Sequence, residues 1–119
     1  MEQRKNHRFH VRFRSSFSSI GLVGGEGSIV DLSIRGCRIE SPTNVQPGAS
    51  LDVRILAVED EPPIRIQQAV VRWSRGRQFG LEFVTMVPEE WARLQHIVKQ
   101  IEMEPYIRDK QAAEFGEAS

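Results

Sequence analysis

Residues 28–40 read SIVDLSIRGCRIE, and the alternation of polar and apolar residues along them decides the fold class. Successive side chains of an extended strand point to opposite faces, so every second residue shares a face. Val30, Leu32 and Ile34 therefore point one way, and Asp31 and Ser33 point the other, away from the core. Gly36 interrupts the run, after which Cys37 and Ile39 resume an inward face opposite Arg38 and Glu40.

The same period extends in both directions. Phe9, Val11 and Phe13 alternate against His10 and Arg12 in a first strand over 9–20. Gly21, Gly24, Gly25 and Gly27 mark turns, and GLVGGEG at 21–27 reads as a hairpin loop. SPTNVQPG at 41–48 is a loop; Leu51, Val53 and Ile55 form a strand; EDEPP at 59–63 is a second loop. Residues 64–73 alternate with Ala69, Val71 and Trp73 on one side. Arg75 and Gly76 make a tight turn, and Phe79, Leu81 and Phe83 return as its hairpin partner. Some six strands with short connections predict a small antiparallel β-barrel or sandwich.

Past residue 87 the period changes. Pro88 suits a first helical turn, and Glu89 and Glu90 sit near the positive helix end. Trp91, Leu94, Val98 and Ile101 then follow helical spacing, with Lys99 in the last turn. The spacing predicts a helix over 88–102 that packs on the barrel. Residues 1–8 read as a flexible basic arm, 9–102 as barrel plus helix, and 103–119 as a polar tail that frays or forms a short helix.

With 119 residues, 39% of them hydrophobic and 27% charged, the chain has the balance of one soluble domain. Net charge is zero, which argues against a polyanion-coating protein. Arg4, Lys5, Arg8, Arg12 and Arg14 nonetheless crowd the start, and a basic arm on a neutral body suits a local anionic ligand. The single cysteine, Cys37, permits no internal disulfide, as in a reducing cytoplasm. No apolar run approaches a membrane span, and no apolar stretch of a secretory signal follows the charged start.

Two short motifs stand among these elements. Arg4-Lys5-Asn6-His7-Arg8 is an R-x-x-x-R, and Asp31-Leu32-Ser33-Ile34-Arg35-Gly36 is a D-x-S-x-x-G. Together they resemble the PilZ family, whose members bind the bacterial second messenger cyclic di-GMP through this pair. AVVRW at 69–73 and RQFGLEF at 77–83 are similar to that family's closing hairpin, so the resemblance covers roughly residues 3–101. It implies a six-stranded antiparallel β-barrel with a C-terminal α-helix packed on it. It also implies a cytoplasmic cyclic di-GMP receptor, not an enzyme, that regulates an unidentified effector protein. The implied ligand-binding residues are Arg4, Arg8, Asp31, Ser33 and Gly36, with Lys5, Arg35 and Trp73 as auxiliary contacts.

The chemistry agrees with the resemblance. An arginine guanidinium forks onto guanine O6 and N7, or onto phosphate oxygens, with paired hydrogen bonds. A fixed carboxylate such as Asp31 accepts from the guanine Watson–Crick edge, Ser33 donates or accepts nearby, and Gly36 lets backbone turn and ligand approach without a Cβ. Trp73 has two readings: it stacks on a guanine or fills the barrel end. Arg35 and Arg72 either touch phosphate or are solvated. Gln3, directly before the arginine motif, stands where many members carry another residue, often basic, and leaves open whether one ligand molecule binds or two.

Other chemistry is poorly supported. His7, His10 and Cys37 lack the closed four-ligand spacing of zinc. No nucleophile–base motif is present, and the glycine run lacks the lysine of a phosphate loop. No cofactor, metal, nucleic-acid polymer or membrane insertion is expected. The competing readings are a PilZ-like adaptor that docks to protein without using nucleotide, and a small barrel that binds single strands through basic grooves and aromatics.

Overall fold

A strand that alternates must bury one face, and the six strands here do so by closing on one another. The computed structural model describes the backbone of residues 8–19 and 22–118 and the side chains of 8–19 and 24–103. Its elements are β1 (Phe9–Ser19), β2 (Leu22–Leu32), β3 (Gly36–Glu40), β4 (Ser50–Leu56), β5 (Ile64–Arg75), β6 (Gln78–Thr85) and α1 (Pro88–Ala118). The strands form a closed antiparallel barrel in the order β1-β2-β3-β6-β5-β4. Ile29, Leu32, Ile39, Val53, Ile55 and Ile66 fill it without solvent contact. Phe17 and Phe79 meet edge to face with ring centroids 5.3 Å apart, a geometry worth about 0.5–1.5 kcal/mol beyond the area buried.

From Leu22 onward the glycine run is strand, not hairpin loop; Gly21 lies outside the described residues. Residues 22–32 form one continuous β2 paired with β1 from Ser19↔Leu22 to Phe9↔Leu32. None of Gly24, Gly25 or Gly27 has a positive φ; among the described residues the positive-φ glycines are Gly48 and Gly76. The glycines serve close approach instead. A Cβ on Gly25 would fall 2.6 Å from the Phe17 ring, and one on Gly27 would fall 2.7 Å from the Glu40 carbonyl oxygen.

Two of the barrel's β-bulges, one on β2 and one on β5, decide how Asp31 and Trp73 face. On β2, Ile29 pairs with Ile39 and Asp31 with Arg38, so Val30 is the extra residue. On β5, Val71 pairs with Leu81 and Trp73 with Gly80, so Arg72 is the extra residue. Each bulge resets the alternation by one. The expected inward set on β2 is thereby changed: Ile29 and Leu32 are fully buried, Val30 only partly. Ser33 is not on a strand, since β2 ends at Leu32. Trp73 leaves the face of Ala69 and Val71 and is 40% exposed.

The helix starts at Pro88, with Glu89 and Glu90 in its first turn. It packs Leu94, Ile97 and Val98 onto the barrel. Glu90 Oε1 accepts a 2.7 Å hydrogen bond from the Arg65 backbone N–H, and Arg93 donates to the carbonyls of Pro62 and Pro63. These bonds tie α1 to β5 and to the 59–63 loop. α1 continues past the expected end at 102 as far as Ala118, through Pro105. A proline removes one helical hydrogen bond, but Arg108, Lys110, Gln111, Ala112, Ala113 and Glu114 beyond it are all good helix formers or neutral, sufficient to carry the helix on.

Candidate ligand-binding cleft

Each strand pairing lays one outward residue beside the next. Asp31 on β2 pairs with Arg38 on β3, Arg38 with Gly80 on β6, and Gly80 with Trp73 on β5. Acid, cation, glycine and indole thus form a single row across the outer face, and both bulges lie beside it. Around this row is a cleft of about 730 Å³ lined by Arg8, Arg35, Arg38 and Arg72, by Asp31 and Glu82, and by Trp73 and Gly80. Four guanidiniums face two carboxylates, so the cleft attracts anions.

Asp31 is its most buried charged group, with a side chain 14% exposed. Its Oδ1 accepts a 2.9 Å hydrogen bond from Arg8 Nη1, and its Oδ2 lies 3.1 Å from Arg38 Nε, in ion-pair contact but off the line of a hydrogen bond. Arg72 Nε donates to Glu82 Oε1 at 2.6 Å, a second pair on the opposite side of the row. Beneath the cleft lies the buried Cys37 thiol. Burial, and then the Asp31 charge, push its pKa far above the ordinary thiol range, with Arg8 opposing. That thiol is an inert wall.

Ser33 and Gly36 are not on the cleft wall. Ser33 is 2% exposed, and its Oγ accepts from the backbone N–H of Arg35 at 3.1 Å and of Gly36 at 3.2 Å. The Ser33 N–H donates to the Gly36 carbonyl at 2.9 Å, closing the turn from β2 to β3. Gly36 is required by β6 and not by a left-handed turn: a Cβ there would stand 2.1 Å from the Leu81 carbonyl oxygen. Of the residues singled out from sequence, Arg8, Asp31, Arg35 and Trp73 come together at the cleft. Arg72, read there as phosphate contact or solvated charge, joins them. Arg4 and Lys5 lie outside the described residues.

Arg38, Gly80 and Glu82 escaped the sequence reading. Alternation does place Arg38 outward, but only cross-strand pairing sets it against Asp31. A second, mostly apolar groove of about 700 Å³ lies between β1 and α1, lined by Val11, Phe13, Ile97, Ile101 and Met103 among others. It lacks carboxylates and gathers little charge, so the arginine-rich cleft is the stronger candidate for an anion. Among the described residues no group of three or more His, Cys, Asp or Glu could hold a metal ion, and no helix is long and apolar enough to cross a membrane.

The PilZ domain family model matches residues 2–100, and the chain belongs to that family. Its structure is similar to that of Escherichia coli YcgR in complex with c-di-GMP, with a TM-score of 0.76 at 14% identity, over 93% of this chain and 51% of that one. It is also similar to the K. pneumonia MrkH–c-di-GMP complex (0.75, 18% identity, 91% and 56% covered). A third likeness is to the Bacillus subtilis inhibitor of motility MotI/DgrA (0.66, 20% identity, 84% and 51% covered). The chain spans about half the length of these proteins, and at such identities the likeness is one of fold. No curated protein sequence matches.

Proposed function

We propose that this domain is a cyclic di-GMP receptor, a binding module and not an enzyme. The observation that carries the reading is the convergence of Arg8 and Asp31, from two motifs 23 residues apart, at one arginine-rich cleft beside an exposed indole. YcgR and MrkH, of the same fold, are complexes with this dinucleotide.

The ligand carries two phosphates and two guanines. Arg4 and Arg8 fork onto guanine O6 and N7 or onto phosphate, a match that lysine, as a point charge, does not provide. Asp31 accepts from the guanine N–H donors. Arg38, against the other carboxylate oxygen, limits its rotation. Ser33 and Gly36 act from below, holding the turn that fixes the ends of β2 and β3. Lys5, Arg35 and Arg72 supply charge toward phosphate, and Trp73 offers a face on which a base stacks. Because Asp31 stands on a strand, its side of the site is preformed. Ligand charge beside the Arg8–Asp31 pair alters the charged surface that the domain presents to an effector protein.

Calorimetric titration with cyclic di-GMP, with GTP and a DNA oligomer as controls, tests the reading. Saturable binding of the dinucleotide alone is the expected result. Heat with none of the three, or equal heat with the oligomer, overturns it.

A further inference from the structure

Gly80 is the one gap in the row Asp31–Arg38–Gly80–Trp73, and the indole occupies it. A Cβ on Gly80 would meet Trp73 Nε1 at 2.2 Å, Cε2 at 2.6 Å and Cδ1 at 2.9 Å. The pyrrole side of the ring therefore rests on bare backbone, with no side chain beneath it. Gly80 does not have the left-handed φ that would demand glycine, and it is buried under the ring. Its missing side chain has a spatial use, which is to let an outward tryptophan lie down.

A tryptophan on the outer face has two options. It can stand off the sheet and move in solvent, or lie against it and present one fixed face. Neighbouring strands are about 4.8 Å apart, so a ring lying from β5 over β6 points toward β3, where Arg38 and then Asp31 stand. The bulge at Arg72 turns Trp73 outward, and the glycine opposite it sets how it lies.

We propose that Gly80 is a positioning residue of the ligand site. It touches no ligand; it seats the Trp73 indole flat, so that one face is held ready for a purine base at a fixed distance from Asp31. This rests on the receptor reading above. A preset platform needs no ordering when the base arrives, which favours affinity.

The test is a double-mutant cycle between Gly80→Ala and Trp73→Ala, read by cyclic di-GMP titration. Indole emission and anisotropy are read in a Trp91→Phe background, where Trp73 is the sole tryptophan. Gly80→Ala is expected to weaken binding roughly tenfold, the scale of a lost base–aromatic stack, and to shift the Trp73 emission. In the Trp73→Ala background the same change is expected to have no further effect on affinity. Wild-type affinity in Gly80→Ala, or an equal loss with and without the indole, overturns the proposal while leaving the receptor reading intact. Absence of binding by the wild-type protein removes both. If Gly80→Ala fails to fold and the double variant folds, the clash is with the indole and the seat is supported. If neither folds, the glycine serves the sheet and the proposal fails.

Discussion

Arg8 and Asp31 meet through a 2.9 Å hydrogen bond that joins the end of the basic arm to the outer face of β2. Any ligand group that uses Asp31 must share it with, or take it from, this arginine. Asp31→Ala is expected to reduce cyclic di-GMP affinity tenfold or more, since a charge-assisted hydrogen bond is worth about 1.5–3 kcal/mol. Arg8→Ala is expected to do the same. Neither should unfold the domain, because neither residue belongs to the apolar core. Titration alongside thermal denaturation of each variant checks both parts.

Selectivity separates base reading from charge attraction. Attraction alone gives affinity that falls steeply with salt, and an oligonucleotide then competes well. Reading of guanine edges by Asp31 and Arg8 predicts that GTP and a random oligomer compete poorly even at low salt. Competition titrations at two ionic strengths decide between them.

Gly36 and Gly80 predict different phenotypes, although they stand on the neighbouring strands β3 and β6. A Cβ on Gly36 meets the Leu81 carbonyl oxygen, part of a strand that cannot step aside. Gly36→Ala should therefore destabilise the barrel by roughly 1–3 kcal/mol, the usual cost of overpacking, and lower the melting temperature by several degrees. Scanning calorimetry measures it.

The Cys37 thiol is held neutral by burial and by the neighbouring carboxylate. Folding therefore raises its pKa. Its contribution to stability is complete below the unfolded value of about 8.5 and is lost as pH rises beyond it, at up to about 1.4 kcal/mol per pH unit for one proton. Urea denaturation at pH 7, 9 and 10 should show a steeper loss in the native sequence than in Cys37→Ala. The native protein should also resist thiol alkylation until denaturant is added.

The sequence reading located the barrel where period-two patterning was undisturbed. Leu51, Val53 and Ile55 on β4, Cys37 and Ile39 on β3, and Phe79 and Leu81 on β6 face inward as the alternation requires. It failed where a pattern depends on the partner strand. An inserted residue such as Val30 or Arg72 looks like any other until the register across the gap is known, so Trp73 was grouped with Val71. The glycines at 24, 25 and 27 suggested a loop because their neighbours, Phe17 and Glu40, are distant in sequence. The motifs located Arg8 and Asp31. They did not distinguish Ser33, which bonds its own turn, from a group that lines the cleft, and they assigned no role to Arg38 or Gly80.

The bulges at Val30 and Arg72 leave the cleft tolerant of a change in residue count. Asp31 faces out although Ile29, two residues before it, faces in, and Trp73 faces out although Val71 does not. An in-frame deletion of the codon at position 72 would place the indole directly after Val71, where alternation still points it outward and opposite Gly80. What the cleft would lose is the Arg72 guanidinium and its pair with Glu82. A lineage can thus retune the charge of this cleft by loss of one amino acid while its aromatic wall keeps its aim.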